Sequence, residues 1–172
     1  MLINELKALR IALLLMIIGL LCVFNAHAIN VGDSIRMGEL VTVDGQTLSA
    51  EDLKGKYLAV QVWATWCPYC HRQNANLKEL VKRTQGSNLK VIGLSIDKSA
   101  EVVKTYATKY EINFPLVMMT PELSQQIGKR RGVPELYVID PTGKVIQKDF
   151  GQMVDLDIFD LARFGRRAPA QP

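Results

Sequence analysis

The chain has 172 residues, 48% of them hydrophobic and 22% charged, with a formal net charge of +4. This is enough chain for one domain with a sizeable core, and the composition is that of a globular protein rather than a disordered one. The basic residues are scattered apart from Lys129, Arg130 and Arg131 and the pair Arg166 and Arg167, with no basic stripe interleaved with aromatics, so nucleic acid is not an expected partner.

Lys7 and Arg10 give the chain a positive start, positions 11–24 are uncharged and apolar, and Ala26-His27-Ala28 supplies small residues where a signal peptidase reads. This layout predicts a secretory signal over 1–28, with retention as an uncleaved inner-membrane anchor as the alternative. The apolar run is short of the roughly 20 residues of a full span. Cleavage after Ala28 would remove Glu5, Lys7 and Arg10 and lower the net charge to +3. Cys22 would leave too, so an exported form keeps only Cys67 and Cys70. A Cys-x-x-Cys bridge closes almost no loop and adds little chain-entropy stabilisation, so the pair points to chemistry or to metal rather than to a staple.

After the signal, one domain is expected over 29–165 and a frayed, disordered tail over 166–172. Asp44-Gly45 between two β-prone triplets predicts a two-residue hairpin. Ser49 then caps a short helical turn ended by Gly55. Positions 57–64 are nearly all apolar and read as a buried central strand. Pro68 suits the first turn of a helix, Leu77, Leu80 and Val81 recur at helical spacing, and Gly86 closes that helix. A second buried strand follows at 89–96. A helix opened by Ser99 carries Val102, Val103, Tyr106 and Tyr110 along one face. A strand at 114–118, a short helix at 121–127 and a hairpin over 135–150 come next. A closing helix at 154–164 puts Leu156, Phe159 and Leu161 on its apolar side. Strands alternating with helices and ending in a hairpin predict an α/β fold, a central mixed sheet with helices on both faces.

Cys67 falls at the end of the first buried strand and the start of a helix. Disulfide exchange needs a thiolate, and the partial positive charge and free N–H groups of a helix N-terminus stabilise one. Cys70 lies one turn further on the same face, within reach of a mixed disulfide at Cys67. Cys67 is therefore expected to be the exposed nucleophile and Cys70 the resolving thiol. Trp63 reads as core and Trp66 as part of the site's frame.

The segment Trp63-Ala64-Thr65-Trp66-Cys67-Pro68-Tyr69-Cys70 resembles the active-site segment of the thioredoxin superfamily. Gly132-Val133-Pro134, followed by a strand, resembles that family's second signature, in which a cis-proline faces the cysteines and helps hold the substrate backbone. The Asp44-Gly45 hairpin, Leu53-Lys54-Gly55-Lys56, the helix–strand insertion over 99–118 and Asp140-Pro141-Thr142-Gly143-Lys144 resemble the exported TlpA/ResA/DsbE branch. The resemblance spans about 31–164. It implies a thioredoxin-like fold and a periplasmic thiol–disulfide oxidoreductase, more a reductase than an oxidase, with clients such as apocytochrome c. Cys67 and Cys70 would be catalytic, with Val133, Pro134 and Trp66 binding substrate. The redox-active disulfide would be the only cofactor, with no metal. Protein thiols and disulfides would be the partners, a membrane thiol carrier of DsbD/CcdA type would donate electrons, and the chain would act as a monomer.

The chain departs from the pattern at informative places. Gln61 stands where thioredoxins carry a buried aspartate, and Gln73 where the ResA-like branch often has a glutamate. Neither amide takes a proton, so exchange should be slower or differently tuned. Glu135 replaces the usual threonine after Pro134, either as a charge that disfavours the thiolate or as a solvated strand end. Pro68-Tyr69 resembles glutaredoxin and Val133 some oxidases, although export removes the chain from the main glutathione pool. Cys67-Pro68-Tyr69-Cys70-His71 also matches the C-x-x-C-H haem-attachment motif, but a buried strand feeding the motif and the downstream Val-Pro strand are not its context. His71 otherwise reads as solvent-facing. Two thiolates with His71 or a methionine could hold Cu(I) as a metallochaperone. A peroxidase of peroxiredoxin type would carry its proline ahead of a lone reactive cysteine, whereas Pro68 follows Cys67.

Overall fold

The computed structural model describes residues 28–166. The segment expected to be a signal lies outside these residues except for Ala28, and the expected tail except for Arg166. Among the described residues, no helix is long and apolar enough to cross a membrane.

A two-stranded antiparallel ribbon, β1 (Leu40–Val41) and β2 (Thr47–Leu48), comes first and pairs Leu40 with Leu48. The connection is not the expected two-residue turn. It runs over 42–46: the Thr42 amide donates to the Gln46 carbonyl, while the Thr42 hydroxyl, which also bonds Asp44, accepts from the Gln46 amide in place of the Thr42 carbonyl. Helix α1 (Ala50–Leu53) opens with a capping box: the Ser49 hydroxyl accepts from the Asp52 amide, and the Asp52 carboxylate accepts from the Ser49 amide.

The main sheet holds β3 (Tyr57–Trp63), β4 (Leu89–Ser95), β5 (Leu116–Met118), β6 (Glu135–Ile139) and β7 (Val145–Phe150), in the spatial order β5-β4-β3-β6-β7. β3, β4 and β5 run parallel, while β6 runs antiparallel to both β3 and β7. The central strand is buried along its whole length, as a continuous apolar run covered on both faces must be. Its side chains alternate between two cores. Tyr57, Ala59 and Trp63 point to α2 (Pro68–Arg83), α3 (Ala100–Lys109), α5 (Asp155–Asp160) and α6 (Ala162–Gly165), meeting Leu77, Val103, Ile158 and Phe164. Leu58, Val60 and Val62 point to α1, α4 (Pro121–Ile127) and the N-terminal segment, meeting Leu53, Ile127 and Ile29.

Three expectations at element ends are corrected. α2 stops at Arg83 with Thr84 as its C-cap, and Gly86 takes a left-handed turn beyond it. The expected closing helix is broken at Leu161 into α5 and α6, and Leu156 is 81% exposed rather than packed. The third strand begins at Leu116, not at 114.

The N-terminal segment also borders both edges of the sheet. Val145 exchanges backbone bonds with Gly32 and Asp33 beside β7, while the Val43 amide donates to the Leu116 carbonyl and Thr42 bridges Val117 beside β5.

Candidate active site

β3 ends at Trp63, the chain turns through Ala64, Thr65 and Trp66, and Cys67 becomes the N-cap of α2 with Pro68 at its first position. A proline there loses no helical bond, because that N–H would be unpaired anyway. Cys67 and Cys70 form a disulfide, and the Cys70 amide donates to Cys67 Sγ at 3.2 Å. The expected exposure of Cys67 is corrected: it is 4% exposed and Cys70 fully buried, since both sit in the turn against the sheet. Trp66 and Tyr69, at 67% and 64% exposed, stand around them. Trp63 is core, its ring 4.9 Å from that of Tyr106.

The turn is fixed from two sides. Asp97, just past β4, accepts from the Thr65 amide at 2.9 Å and the Thr65 hydroxyl at 2.7 Å, and is itself held by Ser95. From α2, a ring nitrogen of His71 meets the Thr65 carbonyl at 2.6 Å. The His71 ring packs against Tyr106 and Tyr110, with centroids 5.0 and 5.5 Å away. His71 is therefore not solvent-facing as expected, because its bond to Thr65 turns the ring inward.

Across from the cysteines the Val133–Pro134 peptide is cis, and the Val133 carbonyl lies 3.6 Å from Cys67 Sγ. The structure thus brings Val133, Pro134, Cys67 and Cys70 together at one end of the sheet, where β3 finishes and β6 begins.

Beneath the cysteines the two amides are fully buried. Gln61 donates to Asn74 at 2.7 Å, and Asn74 donates to the Tyr106 hydroxyl at 3.2 Å. Gln73 accepts from the Met153 amide at 2.9 Å. Gln61 Oε1 and Gln73 Nε2 have no hydrogen-bond partner among the described residues. Burial pushes the Tyr106 hydroxyl above its ordinary pKa, against the opposing effect of the Asn74 bond.

Glu135 is not the solvated strand end considered above. It is 2% exposed and accepts from the Tyr137 hydroxyl at 2.7 Å, on the face of β6 opposite α2. Burial and the Glu135 carboxylate together hold the Tyr137 hydroxyl well above its ordinary value.

Asp97 and Asn74 went unmarked in the sequence, while Tyr106 stood out only as part of a helix face and Thr65 only as part of the cysteine segment. The signal that could have found Asp97 is topological: Ser95-Ile96-Asp97 ends the strand paired in register with β3, so its polar residues must border the cysteine turn.

Residues 31–148 match the AhpC/TSA family. The thiol-disulfide oxidoreductase ResA of Bacillus thuringiensis subsp. konkukian is 29% identical over 113 residues, covering 64% of this chain and 64% of that protein. The chain therefore spans a little under two thirds of the length of that curated relative. ResA of Bacillus subtilis is 26% identical over 121 residues, covering 70% of this chain and 68% of the relative. Among solved structures, a thiol:disulfide interchange protein of the thioredoxin family from Chlorobium tepidum TLS superposes with a TM-score of 0.71 at 28% identity, covering 80% of this chain and 99% of its own. The matched span runs from the N-terminal segment into β7 and takes in both the cysteine turn and Val133-Pro134, so the chain belongs to the AhpC/TSA family of thioredoxin-like proteins.

Proposed function

We propose that this protein is an exported thiol–disulfide oxidoreductase that works in the periplasm, chiefly as a reductase of protein disulfides. One observation carries the reading: the Cys67–Cys70 pair sits at the N-terminus of α2 and faces the Val133 carbonyl across a short gap. The similarity to ResA proteins and the apolar stretch at 11–24 support it.

In the reduced enzyme, the Cys70 amide and the α2 N-terminus stabilise negative charge on Cys67 Sγ. The Cys67 thiolate attacks one sulfur of a client disulfide, forms a mixed disulfide and releases the other client sulfur as a thiolate. Val133 and Pro134 hold the client backbone against the pair. Cys70, once deprotonated, attacks Cys67 Sγ. The Cys67–Cys70 disulfide forms, the second client thiol leaves, and two electrons have passed to the client. A membrane thiol carrier of DsbD/CcdA type then returns two electrons to the pair. Gln61 and Gln73 take no proton, so the Cys70 proton leaves to solvent, and resolution is the slow step at acid pH.

Other observations favour exchange over haem attachment. The cysteines are joined to each other, and the His71 ring is engaged by Thr65 and two tyrosines.

Equilibration with glutathione buffers tests the reading. A reductase predicts a potential near that of thioredoxin, about −270 mV, and a value near DsbA's, about −120 mV, would overturn that direction. Insulin-disulfide reduction should be lost in C67S. A Soret band in the purified protein, or peroxide turnover without any disulfide reduction, would overturn the exchange reading itself.

A further inference from the structure

A basic cavity of about 600 Å³ opens on the face of β6 opposite α2, lined by Lys129, Arg130, Arg131 and Lys148 together with Ala28, Asn30, Glu135 and Phe150. None of the four cations is in an ion pair among the described residues. Glu135 Oε2 accepts from the Tyr137 hydroxyl, and this one buried carboxylate faces four cations. Lys148 donates to the Ile29 carbonyl at 2.8 Å, which holds its ammonium in place. Arg130 Nη1 is buried and has no hydrogen-bond partner among the described residues. A buried guanidinium N–H without an acceptor is costly, and its planar fork fits a carboxylate. Phe150 is 53% exposed, and the Arg131 guanidinium lies 6.0 Å from its ring centroid.

Position decides what the cavity is for. Its wall at 129–131 runs through Gly132 into Val133, whose carbonyl faces Cys67. A chain extended from Val133 to Arg131 covers only about 7 Å. A polypeptide that presents a cysteine to Cys67 and continues along 131–133 would reach the wall of this cavity with residues a few positions away. The chain's own residues 1–27 hold one carboxylate, Glu5, against Lys7 and Arg10, so they carry no net negative charge to set against the cavity.

We infer that this cavity is a docking site for an acidic segment of the redox partner, which places carboxylates on Arg130 and its neighbours while the partner's cysteine meets Cys67. The inference deepens the proposed exchange function and rests on it for the cysteine contact. Charge complementarity raises the rate of encounter as well as the affinity, and salt screens it.

Two measurements separate the docking site from the chemistry. The first is binding of a fluorescent, cysteine-free peptide rich in glutamate to the oxidised full chain, beside a peptide with glutamines in place of the glutamates. The acidic peptide should bind on the order of tenfold more tightly. That preference should vanish in K129E/R131E, where both altered side chains are exposed, and in R130Q. It should also vanish in about 1 M salt, where the screening length is roughly 3 Å. Equal binding of the two peptides overturns the inference, as does sedimentation with phosphatidylglycerol vesicles without peptide binding. The second is reaction of the reduced protein with the uncharged disulfide dithiodipyridine. An equal rate in K129E/R131E and the native chain supports a docking role, and an equal loss of dithiodipyridine and peptide-disulfide reactivity overturns it. Acidic-peptide binding by a native chain inert toward every disulfide would sink the exchange reading and leave the docking site standing.

Discussion

Gln73 shows how one side chain sets the terms for its neighbours. Its oxygen holds the Met153 amide, while its nitrogen is buried without a hydrogen-bond partner among the described residues, three residues along α2 from Cys70. In Q73E a carboxylate would keep the Met153 bond and give Cys70 a proton acceptor. Burial would hold that carboxyl above its unfolded value. Below the ordinary glutamate pKa of about 4.3, folded and unfolded forms are both protonated and no pH-dependent penalty exists. As pH rises through that value, only the unfolded chain ionises, so the variant loses about 1–3 kcal/mol by neutral pH. Urea titrations from pH 4 to 8 should show this slope, and the pH profile of Cys70 alkylation should gain a new step. A profile identical to the native one would remove Gln73 from proton handling. At this scale the sequence was informative where chemistry is local. Cys67, Cys70 and Pro134 stand out by spacing and type. His71 and Glu135 stand out too, but their burial does not, and Asp97 does not stand out at all, because the packing of His71 on Tyr106 and of Asp97 on Thr65 joins residues more than thirty positions apart.

Elements were legible where a single cap or run defines them. The Ser49 cap, the buried run of β3 and Pro68 at the head of α2 each act within a few residues. In S49A, α1 should lose about 1 kcal/mol, read as a lower urea midpoint at neutral pH. Bonds from the Ser49 hydroxyl and amide hold the Asp52 carboxyl below its ordinary value. Its contribution is therefore present above that value and lost as pH falls below it. In S49A the Asp52 titration followed by NMR should move back up toward the ordinary carboxylate value. Misread elements had competing local bonds or a change of neighbour. Asp44-Gly45 reads as a tight turn, but Thr42 captures the loop. The closing helix breaks at Leu161, whose side chain is fully buried on the core while Leu156 faces solvent.

The described residues form a five-stranded sheet between two apolar layers, with the β1–β2 ribbon as a second small sheet, and the class of that arrangement followed from alternating strands and helices. Strand order did not, because the antiparallel placement of β6 beside β3 depends on contacts across the sheet. The C-terminal helices complete the layer that carries α2. Phe164 is buried, stacks on Tyr57 at 5.6 Å between centroids, and precedes Gly165, whose carbonyl accepts from the Asn88 amide. F164A should lower unfolding stability by about 3–5 kcal/mol while leaving the potential of the Cys67–Cys70 pair unchanged. A shift in that potential would show that α6 acts on the site rather than only on the layer.

The N-terminal segment gives this architecture a further property. By laying Gly32 and Asp33 against β7 and Thr42 and Val43 against β5, one stretch of chain occupies backbone groups on both borders of the sheet. Unpaired strand borders invite pairing with other chains. Pairing with a foreign strand is therefore blocked at Val145 on one border and at Leu116 and Val117 on the other.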